Sequence, residues 1–284
     1  MTSNITTHTQ PTLAQIVIYP IKSLDGKSVN SAKISTGGAL EFDRRWAIVD
    51  DRGKIVNAKR TAKIHQLRSW FDFGDAVSEV ENRQLITLQA ADDNTCHTFS
   101  LATELPSLAH WVSDFFGFSV SLIENVVNGF PDDQSAYGPT IVSTATLETI
   151  CTWFPGLDLA EVRRRFRTNL ELSGTTAFWE DRLFAAPDGV VNFQLGNVRF
   201  SGINPCQRCP VPTRNSFTGE ISPEFQKTFT QQRQLTLSPT VNLAKFKNFT
   251  RQTNFYRLST NTQIPLSEAG KFLNTDDILV SNNW

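Results

Sequence analysis

Hydrophobic residues recur along this chain mostly in short runs with the two-residue period of β-strands. The first run, residues 13–19, is apolar and β-branched and stops at Pro20. Residues 46–49 run into a turn that contains Gly53, which favours a hairpin returning along 54–56. Similar patterns predict further strands at residues 27–35, 67–73, 77–90, 96–101, 119–125, 166–173, 190–193, 196–203, 252–258 and 277–280.

Three segments show helical spacing instead. The segment 105–116 is followed by a glycine, as helices commonly are. A second helix is predicted to begin near Ser143 and to end before the pair Pro155–Gly156. The third is predicted to begin at Asp158, where Glu161 three residues later completes a capping box.

Many short strands and few helices, without regular alternation of the two, predict a mixed α+β, mainly β fold. This pattern favours a β-barrel type of architecture over a doubly wound parallel sheet. A polar, turn-rich loop at 128–135 is the predicted boundary between two domains. We therefore expect a disordered tail at 1–10, an N-terminal β-rich domain at 11–127 and a second domain at 128–284.

The charge balance narrows the range of partners. The 284 residues include 27 Lys and Arg against 28 Asp and Glu, a net charge of -1, which excludes a surface built as a whole to attract nucleic acid or anionic membranes. No run reaches the ~18 apolar residues that span a bilayer, and the polar N-terminus lacks a secretory pattern. Four cysteines are too few for a disulfide scaffold. We expect a cytoplasmic protein with no nucleic-acid partner and no membrane span.

Cys206 and Cys209 form the sharpest local motif, a Cys-x-x-Cys flanked by prolines. The chain has no second Cys-x-x-Cys and no His pair at metal spacing that would complete a structural zinc site. Three interpretations stay open: two reduced structural cysteines on a loop, a thiol–disulfide pair, or one thiolate ligand of a redox metal held mainly by another group. The prolines disfavour the helix that a thioredoxin-like motif opens.

Positively charged residues mark two further places. Arg167 and Asn169 fall where the pattern predicts a strand, and residues two apart on a strand share a face. A guanidinium and an amide projecting together suit an anionic ligand such as a phosphate or a pterin, and equally a satisfied internal ion pair. Lys22–Ser23 and Arg44 follow predicted strands, and strand ends commonly hold ligands on a rigid scaffold.

Taken in order, the motifs of this chain resemble those of the MOSC-domain family. They are Tyr19-Pro20-Ile21-Lys22-Ser23, Asp43-Arg44-Arg45-Trp46, Arg165-Phe166-Arg167-Thr168-Asn169, Trp179-Glu180-Asp181, Asn204-Pro205-Cys206-Gln207-Arg208-Cys209 and Thr218-Gly219. The chain is similar to the branch with an N-terminal β-barrel part, which includes the mitochondrial amidoxime-reducing component and its bacterial relatives. The resemblance covers residues 11–280 and implies a β-barrel-type MOSC domain with an N-terminal β-rich part.

Members of this family bind the molybdenum cofactor, a pterin dithiolene with a terminal phosphate. The resemblance implies that Cys209 is the metal ligand and a catalytic residue, and it makes Asp133 a second catalytic candidate. The cofactor contacts that it implies are Lys22, Ser23, Arg44, Gln134, Ser135, Arg167, Asn169 and Gln207. Some relatives carry a plant-type iron–sulfur domain with its own cysteine signature. No cysteine follows Cys209 here, so we expect no iron–sulfur cluster in this chain.

The activity implied by the resemblance is that of a molybdenum-dependent oxidoreductase. Its substrates would be N-hydroxylated small molecules, namely hydroxylamines, amidoximes and N-hydroxy bases. Its electrons would come from a separate donor, either a ferredoxin-like protein or a flavoprotein. Two alternatives stay open: a non-catalytic module that carries molybdenum cofactor or sulfur at Cys209, and a thiol–disulfide protein that uses both Cys206 and Cys209.

Overall fold

The computed structural model describes residues 10–74, 83–184, 189–238, 246 and 254–280, which form fifteen strands and four α-helices. The strands are β1 (Thr12–Ile18), β2 (Lys27–Val29), β3 (Ser31–Lys33), β4 (Trp46–Asp50), β5 (Leu67–Asp72), β6 (Leu85–Ala90), β7 (His97–Ser100), β8 (Val120–Glu124), β9 (Ile141–Ser143), β10 (Leu170–Ser173), β11 (Val191–Leu195), β12 (Val198–Gln207), β13 (Arg257–Gln263), β14 (Phe272–Asn274) and β15 (Leu279–Val280). The helices are α1 (Leu105–Phe116), α2 (Thr144–Trp153), α3 (Leu159–Phe166) and α4 (Phe225–Leu235). The mixed, mainly β fold class is confirmed.

Eight strands form one large sheet in the order β15-β11-β12-β13-β9-β10-β1-β2. Only the β9–β10 pair within it is parallel. β1 sits between β2 and β10, because Ile16 pairs with both Val29 and Leu170. The Leu13 amide also donates to the Asp277 carbonyl at 2.8 Å, just before β15, so the sheet curves back on itself. The predicted division at residue 128 stays a prediction, and strands from both sides of it share this sheet.

Alternation along the strands builds the core inside this curve. In β11, for example, Val191, Phe193 and Leu195 are buried while the residues between them are exposed. Phe193 stacks on Phe200 of β12 with ring centroids 5.2 Å apart, and Leu13 and Leu170 are fully buried in the same cluster. The period of two therefore separates the core face from the outer face of the sheet.

A second core lies in the N-terminal part. The β4–β8 pair, the β5–β6–β7 sheet and α1 pack around Trp46, which is fully buried. The helix α1 has the predicted bounds, and Gly117 ends it in the left-handed conformation at φ 81°. Part of the strand predicted at 77–90 lies outside the described residues, and the remainder forms β6. The run predicted at 27–35 is two strands, β2 and β3, which join different sheets.

Several predicted boundaries are wrong, for identifiable reasons. The strand predicted at 166–173 starts at Leu170, because α3 continues to Phe166 and Arg167 then turns into the left-handed region. β13 begins at Arg257, so residues 254–256 of the predicted strand at 252–258 are not part of it, and residues 252–253 lie outside the described ranges. Asp158 caps α3 by accepting from the Glu161 amide, but the Glu161 carboxylate pairs with arginines and does not complete the capping box. None of the helices in the described ranges is long and apolar enough to cross a bilayer.

Candidate functional site

Segments that are far apart in the sequence line one cavity of about 1190 Å³. Its walls are the residues after β1, the segment 57–68, the loop 131–138, the end of α3 and the loop that carries Cys209. The volume exceeds the ~300–1,000 Å³ that is usual for a small-molecule site, so the cavity has room for a large ligand. The predicted site residues that line it are Lys22, Ser23, Arg44, Asp133, Gln134, Arg167, Asn169, Gln207 and Cys209.

Two guanidinium groups meet over one aromatic ring in this cavity. The Arg167 guanidinium lies 4.1 Å from the centre of the Tyr19 ring, and that of Arg44 lies 5.2 Å from it. Arg44 also forms an ion pair with Asp43 and donates to the Asn169 amide oxygen at 3.3 Å. Asn169 donates to the Val17 carbonyl at 3.0 Å, so the amide ties Arg44 to β1.

Arg44 and Arg167 differ in their electrostatics. Burial opposes the charge of Arg44, but Asp43 and the Tyr19 phenol outweigh burial and raise its pKa. Burial lowers the pKa of Arg167; Tyr19 opposes this effect and Arg44 adds to it. No described residue accepts a hydrogen bond from the Arg167 side chain or forms an ion pair with it. A half-buried guanidinium without a counter-ion is free to donate hydrogen bonds to a bound ligand.

Three of the eight non-glycine residues with positive φ in the described ranges line this cavity. Ser23, Arg44 and Arg167 all adopt the left-handed region, with φ of 75°, 51° and 52°. Residues with a Cβ pay about 1–3 kcal/mol for such a conformation, which persists where the surroundings over-determine it. Three such residues around one cavity indicate that the fold holds these side chains in place at a cost in stability.

The Cys206–Cys209 segment is fixed to this cluster by Arg208. Its guanidinium donates to the Phe166 carbonyl at 2.9 Å and to the Ser259 hydroxyl at 2.8 Å. The first bond satisfies a carbonyl that the end of α3 would leave unpaired. Arg208 therefore joins the end of α3, which is followed by Arg167, to β13 and to the loop of Cys209. Both cysteines are free thiols, partly buried, that line the cavity.

Comparisons with known families agree with this arrangement. Residues 10–119 match the MOSC N-terminal beta barrel domain, and residues 140–245 match the MOSC domain. The chain is a MOSC-domain protein. The cavity described above lies between its two MOSC parts, because Lys22, Arg44 and His65 come from the first and Arg167 and Cys209 from the second.

This MOSC protein is also similar to curated proteins called molybdenum cofactor sulfurase. It is 26% identical to the one from Drosophila mojavensis over 238 residues, which are 76% of this chain and 29% of that protein. The one from Drosophila melanogaster is 25% identical over 244 residues, 78% of this chain and 30% of the relative. The one from Bos taurus is 22% identical over 258 residues, 76% of this chain and 28% of the relative. The matched part is thus about three tenths of each relative.

Lys22 is held at the cavity wall by an acid that the sequence analysis missed. Its ammonium donates to the Asp132 carboxylate at 2.8 Å and to the Phe130 carbonyl at 2.7 Å. Burial lowers the pKa of Lys22, and Asp132 opposes that effect. Partial burial favours the neutral acid at Asp132, but Lys22, then Lys59 and Arg44, bring its pKa down to about 2.

The predicted site residues in the loop after Asp132 differ in whether they line the cavity. Asp133 accepts from the Ser135 amide at 2.9 Å and hydroxyl at 2.6 Å, and from the Asn261 amide at 3.2 Å. Gln134 lines the cavity, whereas Ser135 is exposed and is not part of the lining. The structure thus gives Ser135 a turn-forming contact with Asp133, and its cofactor contact stays a prediction. Gln207 lines the cavity beside Arg257, 3.4 Å away.

Two further residues of the cavity were not among the predicted site residues. His65 lies in the one-turn helix 62–66, and its buried Nε2 has no hydrogen-bond partner among the described residues. Burial, followed by Arg214, Arg167 and Arg68, lowers the pKa of His65 to about 4, so the imidazole is neutral. Tyr19 is buried, which raises its pKa to about 12, and its hydroxyl donates to the Thr168 carbonyl. Its place in the motif with Lys22 was the only available clue.

The donor set fits a metal whose other ligands are organic. Among the residues described, no group of three or more His, Cys, Asp and Glu side chains is arranged to hold a metal ion. Cys209 offers one thiolate, which suits a soft or redox metal. The Arg167 guanidinium and the buried Nε2 of His65 have no hydrogen-bond partner among the described residues, so both can bind a ligand. A pterin dithiolene with a phosphate would supply the remaining metal ligands and would offer acceptors to these polar groups.

Proposed function

We propose that this MOSC protein binds the molybdenum cofactor and reduces N-hydroxylated small molecules with electrons from a separate donor protein. The observation that carries the proposal is the counter-ion-free Arg167, held beside Arg44 over Tyr19 in the cavity that contains the Cys209 thiol. Cations and a thiol that line one cavity suit a cofactor that joins a phosphate to a metal.

Each residue has a proposed part in holding that cofactor. Lys22, Ser23 and Arg44 bind the phosphate end, Arg167 and Gln207 contact the pterin, and Cys209 supplies the thiolate ligand. Asn169 positions Arg44 through its amide oxygen. When bound, the cofactor would supply two-electron chemistry.

The overall reaction needs two electrons and two protons. A hydroxylamine R–NH–OH accepts both, its N–O bond breaks, and the products are the amine R–NH₂ and one water. Asp133 is the proposed catalytic acid, since its carboxylate lies at the cavity wall and is oriented by Ser135 and Asn261.

The test compares two cysteine variants of the purified protein. Molybdenum content and hydroxylamine turnover with a chemical reductant are measured for wild type, Cys209→Ala and Cys206→Ala. We expect wild type to contain molybdenum in proportion to the chain, Cys209→Ala to lose turnover while keeping most of the pterin, and Cys206→Ala to retain turnover. Wild type from a host that cannot make the cofactor should be inactive, and activity in that preparation would refute the proposal.

A second candidate function is a sulfur- or cofactor-carrying module without a substrate site. The similarity to proteins called molybdenum cofactor sulfurase favours it. In this case Cys209 would hold cofactor or a persulfide, and the same wild-type preparation would contain cofactor but turn over no hydroxylamine. Equal losses on replacing either cysteine would instead favour the thiol–disulfide alternative.

A further inference from the structure

Positive charge is concentrated on the segment that borders the cavity from the N-terminal part. Within residues 51–63 the exposed side chains include five cations and one acid, although the whole chain has a net charge of -1. We name these cations the basic rim. They are Arg52, Lys54, Lys59, Arg60 and Lys63. Asn57, Ala58 and Lys59 of the same segment line the cavity that contains Cys209.

Most cations of the basic rim form no ion pair with a described residue. Asp50 directly precedes the segment, but it is buried and already accepts from the amides of Arg52 and Lys54 and from the Arg60 guanidinium. Lys59 lies 3.7 Å from Asp132, which also binds Lys22. Within the described part of the chain, the side chains of Arg52, Lys54 and Lys63 have no carboxylate partner.

The segment presents these cations on a fixed backbone. The turn at 50–54 is closed by the Asp50 carboxylate, and the Asn57 side chain accepts from the amides of Lys59 and Arg60. Thr61 caps the short helix 62–66, which carries Lys63 over the Phe115 ring of α1 at 5.0 Å. The basic rim is therefore a preformed surface, which lowers the entropy cost of binding a partner.

We propose that the basic rim is the docking surface for the electron donor and that the donor meets it with an acidic surface. This inference rests on the proposed function, which requires two electrons from another protein. The cations are spread from residue 52 to residue 63 and all are exposed, so a protein surface that carries several acids can contact more of them than a small anion can. Charge complementarity of this kind accelerates association and orients the partner, here with its redox centre facing the cavity.

The test uses the full-length holoenzyme with a plant-type [2Fe–2S] ferredoxin as the acidic donor. The variant Lys54→Glu/Lys63→Glu reverses two cations that do not line the cavity, and Lys227→Glu reverses an exposed cation of α4 as the control. For the double variant we expect kcat/KM for ferredoxin to fall by about tenfold or more at low salt, and for the control little change. Salt should lower the wild-type value towards that of the variant, because it screens exposed charges.

Turnover with dithionite-reduced methyl viologen separates this inference from the proposed function. Wild type and the double variant should differ by less than about twofold with viologen, since a small reductant needs no docking surface. Ferredoxin kinetics unchanged in the double variant, or a loss that salt does not affect, would overturn the docking surface. If wild type itself gives no viologen turnover, the proposed function fails. Direct titration of ferredoxin into wild type and the double variant then tests the docking surface independently.

Membrane binding is the alternative outcome. If the double variant loses binding to phosphatidylserine vesicles while its ferredoxin binding is unchanged, the basic rim is a membrane-binding surface and the proposal is overturned.

Discussion

Arg167 combines a strained backbone with an unpaired charge. Replacing it with glycine removes both, and the two losses should have opposite effects on stability and on cofactor binding. It occupies the left-handed position at the end of α3, where glycine is the usual residue. For Arg167→Gly we expect a free energy of unfolding of the cofactor-free protein at or above wild type, because strain of about 1–3 kcal/mol is relieved and offsets the flexibility of glycine.

The same Arg167→Gly variant should lose cofactor. A hydrogen-bonded charge contributes about 1.5–3 kcal/mol, so retention after desalting should fall roughly ten- to a hundredfold. Urea denaturation of the cofactor-free protein and pterin content of the purified protein measure the two effects. A variant that loses stability and keeps its pterin would show that Arg167 is a structural residue.

The site residues show what sequence could and could not predict at this scale. Arg167 and Asn169 were expected on one strand face, yet Arg167 ends a helix and Asn169 precedes β10. They still border one cavity. Arg44 lies over the same Tyr19 ring as Arg167 and donates to the Asn169 amide oxygen, so it connects the two residues. Asp132 and His65 depend on contacts between segments that no local pattern encodes.

Helix α4 illustrates the element scale. It buries Phe225, Phe229 and Arg233 at four-residue spacing, and the charged third member hid the apolar pattern from the sequence analysis. Arg233 is almost fully buried, lies 4.4 Å from the Phe178 ring centre, and pairs with Asp181 at 2.5 Å. By contrast α1, whose buried face is wholly apolar, was predicted with the observed bounds.

The Arg233–Asp181 pair therefore anchors α4 to the rest of the MOSC domain. For Asp181→Asn we expect a loss of about 3–5 kcal/mol in the free energy of unfolding, because the substitution leaves a buried cation without its partner. Lys227→Gln on the same helix is the control, since its pair with Glu224 is exposed and its loss should be near the error of a urea titration. Equal effects of the two variants would contradict an anchoring role.

At the scale of the whole molecule, one buried carboxyl shapes the pH dependence of stability. Glu180 is 1% exposed, its Oε2 accepts from the Ser143 amide and the Thr146 hydroxyl, and its Oε1 has no partner among the described residues. Burial, with a smaller contribution from Asp181, raises its pKa from 4.5 to about 7. Arg233 acts in the opposite direction but does not cancel the shift.

Because the native state keeps this proton where the unfolded chain has released it, the contribution of Glu180 to the free energy of unfolding falls as pH rises from 4.5 to about 7, then levels off. Glu180→Gln removes the proton equilibrium and keeps the shape. The difference between variant and wild type should therefore grow in favour of the variant by up to about 3 kcal/mol from pH 4.5 to pH 8. Urea titrations across that range measure it, and parallel curves for the two proteins would rule out Glu180 as the titrating group.

The position of β1 in the large sheet also has a consequence during synthesis. Ile16 leaves the ribosome early, but its partner Leu170 emerges only after the whole N-terminal part and α3 have been made. At about 5–20 residues per second, this apolar strand waits on the order of ten seconds for one of its two neighbours. The nascent chain therefore carries an incompletely paired hydrophobic strand through much of translation.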